Sequence, residues 1–341
     1  MKILSKERVQ GLLSEMNREA QVYCPQSAEH GDVLLLPLGD GTYTGDMGKT
    51  PISPKSVVFP QTEDILLFGE RTIAKITEHE KTVVFGVRPC DMRAIAFTDR
   101  FMMRDNLVDP NYSARRQATT CIVVACNEPP SETCFCKATG GSLFLTDTPH
   151  DVQLFDAGSY FIALAASDKG KAILGKSYFE SAAEDDEKRL EEIKEKASHA
   201  GMATNGVQGS SEKLLANKVA DSFWEELAQR CIKCGGCVYV CPTCTCFNVH
   251  DYSCDSGYVR CRSWDACLFS GFTRETSGHN PRPTKGARLA RRHEHKLKFD
   301  LMNYHEIGCV GCGRCSDACP VGLGAIEIID EMNKAQESRK T

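Results

Sequence analysis

The chain has 341 residues, with 41 Lys+Arg against 46 Asp+Glu and a formal net charge of −5. That length suggests two domains, and the slightly acidic balance excludes the strongly basic footprint of a nucleic-acid-binding domain. Cysteine is the unusual count, at 19 residues, and its distribution excludes a small disulfide scaffold because 13 of them fall between Cys231 and Cys319.

The opening sequence MKILSKERVQGLLSEMNREAQ carries charges every few residues, where a secretion signal needs an uninterrupted apolar stretch. Val9, Leu12, Leu13, Met16 and Ala20 recur at helical spacing and predict an amphipathic helix. No apolar run approaches the ~18–20 residues of a membrane span. The expectation is a cytoplasmic protein, in which clustered thiols bind metal rather than pair as disulfides.

Between about residues 30 and 175, β-rich runs alternate with helical stretches: Asp32–Leu36, Asp64–Phe68, Thr82–Val87, Thr120–Ala125 and Tyr160–Ala165. TVVFGV and TCIVVAC are nearly continuous apolar strands, as in sheets covered on both faces. A helix carrying Met92, Ile95, Ala96, Phe97 and Met103 is predicted after the first. Residues 181–211 then change character, with a charged helix (ESAAEDDEKRLEEIKEKASHAG) followed by the connector MATNGVQGSS. The expected organisation is an α/β domain over 1–180, this helix and linker, and a second domain over 212–341. Leu214, Leu215, Val219, Phe223 and Leu227 form the helical stripe that leads into it, with Trp224 read as core.

That second domain carries one signature twice. Cys231, Cys234, Cys237 and Cys241-Pro242 form the first copy, and Cys309, Cys312, Cys315 and Cys319-Pro320 the second. The C-x2-C-x2-C-x3-C-P run is the bacterial ferredoxin pattern for [4Fe–4S] clusters, in which the fourth cysteine serves the other cluster. The spacing therefore predicts Cys231, Cys234, Cys237 and Cys319 on one cluster, and Cys309, Cys312, Cys315 and Cys241 on the other. Gly235, Gly236, Gly311 and Gly313 let backbone amides approach the sulfurs. A pair of zinc sites is the competing reading, although zinc ligands usually fall into two distant pairs. The copies begin 78 residues apart, at Cys231 and Cys309, too far for a compact ferredoxin hairpin. The intervening sequence reads as helical in several places, as does the final stretch Gly324–Gln336, so a helical two-cluster domain is expected.

Other cysteines are less regular. Cys244, Cys246, Cys254, Cys261 and Cys267 lie inside the insert, either as buried small hydrophobes or as a further metal or redox-active thiol site, for example Cys244 with Cys246. In the first half, Cys90 follows TVVFGV at a helix start and Cys126 ends TCIVVAC, both at strand carboxyl ends where α/β sheets place their ligand crevice. With Cys134 and Cys136 they offer four thiols for a third [4Fe–4S] cluster; the alternative is scattered core cysteines, as read for Cys24 and Cys121. Gly39–Gly45 lacks the spacing and helix of a dinucleotide fingerprint, and no phosphate-binding loop or Ser-His-Asp arrangement is present. Arg282, Lys285, Arg288, Arg291, Arg292, His293, His295, Lys296 and Lys298 form a local basic stretch that would offset cluster charge, dock an acidic partner or face solvent.

RPCD around Cys90, the Cys126…CFC stretch to Cys136, CPTCTC from Cys241 to Cys246, WDAC ending at Cys267, HNPRP at His279–Pro283 and CVGCGRC from Cys309 to Cys315 together resemble a family of iron–sulfur proteins. That family comprises the beta subunit of sulfhydrogenases and the corresponding iron–sulfur subunit of anaerobic sulfite reductase. The resemblance covers nearly the whole chain and leaves Cys254 and Cys261 unassigned. It implies an α/β N-terminal domain joined to an α-helical ferredoxin-like domain with two [4Fe–4S] clusters, and it favours the third cluster at Cys90, Cys126, Cys134 and Cys136. It further implies an anaerobic electron relay between a flavoprotein subunit that carries FAD and handles NAD(P)H, and a catalytic [NiFe] hydrogenase or sulfite reductase subunit. The rival function is a reductase with its own thiol or cluster active site at Cys244, Cys246 or Cys267, acting on sulfur or a disulfide. A third is a zinc-stabilised interaction scaffold.

Overall fold

TVVFGV and TCIVVAC become the strands Thr82–Val87 and Thr119–Val124, which run parallel side by side. Val83, Val84, Phe85, Ile122, Val123 and Val124 are all buried, because both faces of this part of the sheet are covered. The computed structural model describes every residue except 40, 46–47, 77–78, 203–205, 256 and 336–341. It divides into two compact units. The first comprises Met1–Phe59, Thr77–Cys134 and Gly141–Met202, and the second Pro60–Ile76, Phe135–Gly140 and Ala203–Thr341.

An eight-stranded sheet organises the first unit, in the order Glu180–Ser181, Lys2–Ser5, Tyr160–Ala165, Val152–Asp156, Thr119–Val124, Thr82–Val87, Gln21–Ser27 and Val33–Pro37. Its four strands from Val152–Asp156 to Gln21–Ser27 are mutually parallel, and antiparallel partners flank them. The N-terminal stripe forms the helix Val9–Met16 with Val9, Leu12, Leu13 and Met16 inside, while Ala20 lies past its end. The charged stretch is the helix Glu184–His199, whose Leu190 and Ile193 pack on Ala125, Phe155 and Ile162. It is therefore an outer layer of this unit rather than part of a linker. The expected connector is helical from Val207 to Leu215, with Ser210 and Ser211 buried, and residues 203–205 fall outside the described residues.

The second unit corrects one expectation and adds a hairpin that was not foreseen. Asp64–Phe68, expected in the α/β half, lies in the strand Thr62–Phe68, which pairs with Gly257–Trp264 in a separate four-stranded sheet. Alternation identifies a strand but carries no information on a partner nearly 200 residues away. The insert between the two cysteine motifs opens as the hairpin Phe247–Cys254 and Gly257–Trp264 and is helical further on, at Lys285–Glu294 and Asp300–Tyr304. The helices Asp221–Arg230, Lys285–Glu294 and Ala325–Lys334 bury Trp224, Leu227, Leu289, Ile328 and Ile329 in one core. The last helix occupies most of the stretch expected there, and residue 336 falls outside the described residues. Among the described residues no helix is long and apolar enough to cross a membrane.

Candidate metal centre

Each cysteine motif turns sharply on glycine before a one-turn helix. Gly235 (φ +76°) precedes Gly236–Tyr239, and Gly313 (φ +75°) precedes Arg314–Asp317. These left-handed residues reverse the chain so that the thiols of each motif border a common space, with Cys234 exposed. The result is two cavities within the second unit. One is lined by Cys231, Cys234, Cys237 and Cys319. The other is lined by Cys309, Cys312, Cys315 and Cys241. Each therefore takes three thiols from one motif and the fourth from the other.

These thiols ring a space and do not meet at a point. A tetrahedral zinc with bonds of ~2.3 Å draws its sulfurs to within about 4 Å of one another. Among the described residues no three His, Cys, Asp or Glu side chains converge on one ion's position, and all 19 cysteines are free of disulfides. A multi-atom cubane matches such a donor set, and backbone amides already point at the sulfurs. Leu323 N–H donates to Cys319 Sγ at 3.2 Å and Ala325 N–H to Cys315 Sγ at 3.3 Å. The Gly311 N–H reaches Cys309.

Buried cations stand beside this sulfur. The helix Lys285–Glu294 continues through a π-helical turn at His295–Phe299, a form common at functional sites. It turns Arg288, Arg292, His293 and Lys296 inward, all at 6% exposure or less, so this side of the basic stretch is not a solvated face. Arg288 spends its donors on the carbonyls of Leu268, Arg282 and Pro283, a structural clamp. Arg292 and Lys296 line the second cavity. Lys296 Nζ donates to Thr243 Oγ1 at 2.6 Å and to the Gly308 carbonyl at 3.3 Å. Burial opposes its charge, but the surrounding Cys241, Cys244 and Cys309 sulfurs hold the ammonium protonated. Burial and the two cations keep His293 neutral. Burial pushes the thiols of Cys237 and Cys309 up to about 11, so a positive centre is needed to hold them as thiolates.

Residues 230–323, which span both motifs, match the family of 4Fe-4S dicluster domains. The chain carries a 4Fe-4S dicluster domain. Over 298 residues it is 28% identical to Sulfhydrogenase 2 subunit beta of Pyrococcus furiosus, covering 85% of each chain. No solved structure matches it.

Inside the dicluster domain, the insert cysteines fall into separate environments. Cys244 hydrogen-bonds with Cys241, and Cys246 with Cys267, so the pairing of Cys244 with Cys246 suggested by the sequence does not form. Cys261 is buried on the hairpin and Cys254 is half-buried at the end of its partner strand. Cys267 was not paired with Cys246 from the sequence, although Asp255-Ser256-Gly257 between two β-rich runs is a turn signal from which the hairpin could have been found.

The first unit holds Cys90, Cys126 and Cys134, while Cys136 falls in the second. Cys90 opens the helix Pro89–Met102 directly after one parallel strand, and Cys126 follows the adjacent one; Val87 and Val123 are register partners, each three residues earlier. Arg88 Nη1 donates to Cys126 Sγ at 3.8 Å. Burial raises the Cys126 thiol, Arg88 opposes that shift, and nearby Cys134 and Asp91 add to it. Cys24 and Cys121 are fully buried, with thiols pushed to about 11 by burial, as core cysteines.

Proposed function

We propose that this chain is an electron-transfer subunit of an oxidoreductase complex, with its C-terminal part an α-helical ferredoxin-like domain carrying two [4Fe–4S] clusters. Cys231, Cys234, Cys237 and Cys319 hold one, and Cys309, Cys312, Cys315 and Cys241 the other. The observation that carries this reading is the exchange of the fourth thiol between motifs, which gives each cavity a full ligand set. When bound, such clusters supply reversible one-electron transfer without bond-making. The chain's own residues set the terms: thiols bind, N–H groups and buried cations stabilise charge, and the apolar core limits water.

A third [4Fe–4S] cluster at Cys90, Cys126, Cys134 and Cys136 extends the reading. The placement of Cys90 and Cys126 at adjacent parallel strand ends supports it. Cys134 and Cys136, two residues apart, have Cα atoms within ~7 Å of each other along any chain path. The similarity to a sulfhydrogenase beta subunit supports membership of a larger assembly, which we place in the cytoplasm. We place its partners as a flavoprotein carrying FAD and handling NAD(P)H, and a [NiFe] hydrogenase or sulfite reductase catalytic subunit.

Iron and acid-labile sulfide analysis of anaerobically purified protein tests the assignment. About eight irons per chain are expected for two clusters and about twelve for three. Replacing Cys134 and Cys136 together should remove about four irons and leave the C-terminal pair intact. Iron-free protein, or a visible absorption that does not bleach with dithionite, overturns it.

A further inference from the structure

Cys246 and Cys267 stand at the two feet of one hairpin. Phe247 is the register partner of Trp264, so Cys246 enters the first strand and Cys267 follows the second by three residues. Asp265 N–H donates to the Cys246 carbonyl at 2.9 Å, carrying the ladder one step beyond the hairpin. The two sulfurs meet there, with the Cys267 thiol and the Cys267 backbone N–H both donating to Cys246 Sγ. Neither cysteine lines either of the two four-thiol cavities.

Their surroundings differ. Cys246 is half-buried, whereas Cys267 is 7% exposed. The hydrogen bond from Cys267, then His295 and Lys296, hold the Cys246 thiol down at about 6 against its burial. The same hydrogen bond and burial push Cys267 far up. An accessible low-pKa thiol against a protonated buried one is the division of labour between attacking and resolving cysteines. Arg282 also senses both sulfurs, so the approach is cationic.

We propose that Cys246 and Cys267 form a redox-active dithiol, separate from the cluster ligands, which exchanges with a small anionic disulfide. The Cys246 thiolate attacks one sulfur of that disulfide; its S–S bond breaks, one thiolate leaves and a mixed disulfide remains. Cys267 gives its proton to the departing thiolate and attacks Cys246 Sγ, forming the Cys246–Cys267 bond and releasing the second thiolate. The substrate gains two electrons and the protein pair loses two. Restoring the dithiol takes two electrons, the number two one-electron centres hold together, and that last link rests on the function proposed above.

The test uses the anaerobically purified full chain, poised in glutathione buffers of rising oxidised fraction, quenched with N-ethylmaleimide and peptide-mapped. A Cys246–Cys267 cross-linked peptide should form and reverse with the buffer. It should vanish in Cys246→Ser and in Cys267→Ser and persist in Cys244→Ser, with iron content equal to wild type in the first two. No cross-link in the wild type, a Cys244–Cys246 link instead, or iron lost from Cys246→Ser each overturns the proposal. Iron-free protein that still forms the link would sink the cluster reading and leave the dithiol standing; iron-loaded protein without the link does the reverse.

Discussion

Arg292 donates from Nη2 to the carbonyl of Cys237 at 3.1 Å, a residue of the first thiol cavity, while its side chain lines the second. At 2% exposure it is removed from water, and its other described partner is the neutral ring of His293. A buried guanidinium without a carboxylate is costly unless negative charge stands nearby. Cys237, Cys315, Cys244 and Cys241 are the groups that sustain its charge. Arg292 thus links the two sites, through a hydrogen bond to the backbone of one and through its charge to the sulfurs of the other.

Lys296 makes the clearest electrostatic prediction. Its ammonium sits in the wall of the Cys309 cavity, where a unit charge at ~8–10 Å and an effective dielectric of ~20 is worth about 2 kcal/mol. Lys296→Met should therefore lower one cluster's reduction potential by roughly 50–100 mV, with the other changing less. Potentiometric titration followed by EPR reads this directly. Two unchanged potentials would remove Lys296 from the tuning of either site.

Gly311 is constrained by the backbone. Its φ is +65°, and a Cβ there would come within 2.6 Å of the Cys136 Cα and N, while its carbonyl accepts from Phe135 N–H at 2.8 Å. Both backbones would have to move, and the loop between Cys309 and Cys312 would move with them. Gly311→Ala should cost about 2 kcal/mol or more in stability and lower the iron content by up to one cluster. Wild-type iron loading and melting behaviour in this variant would contradict that.

Glu63 and Arg262 form a buried ion pair, with 5% and 3% side-chain exposure, that ties the strand Thr62–Phe68 to the inter-motif hairpin. Removing one partner of such a pair leaves an uncompensated charge, at about 3–5 kcal/mol. Glu63→Gln should lower the thermal midpoint by several degrees in a calorimetric scan, whereas Asp251→Asn, which breaks an exposed pair with Arg260, should change it little. Equal effects from both would mean burial is not what matters here.

Cys246 should show a characteristic pH profile. Its thiol is held at about 6, so its thiolate is nearly fully formed at neutral pH. Because the shift is downward, reactivity should persist well below the usual thiol range near 8.5 and fall only as pH drops through about 6. Iodoacetamide labelling followed by mass spectrometry, from pH 5 to 9, measures this. A labelling midpoint above 8 would show that Cys267 and the nearby cations do not stabilise the thiolate.

What the sequence determined by itself was local chemistry. The repeated C-x2-C-x2-C-x3-C-P spacing is a covalent property of a short segment, and its glycines fix the turn, so each motif's thiol triplet was legible without a fold. The continuous apolar runs at Thr82–Val87 and Thr119–Val124 were legible for the same reason, since burial on both faces leaves a composition signature. The tertiary structure alone decided which distant groups meet. It placed Thr62–Phe68 in the second unit, turned Arg292 and Lys296 inward, and closed the hairpin that sets Cys246 against Cys267. Periodicity reports which way a side chain faces within its own element. The partner it faces depends on chain closure over tens to hundreds of residues, and no local pattern encodes that.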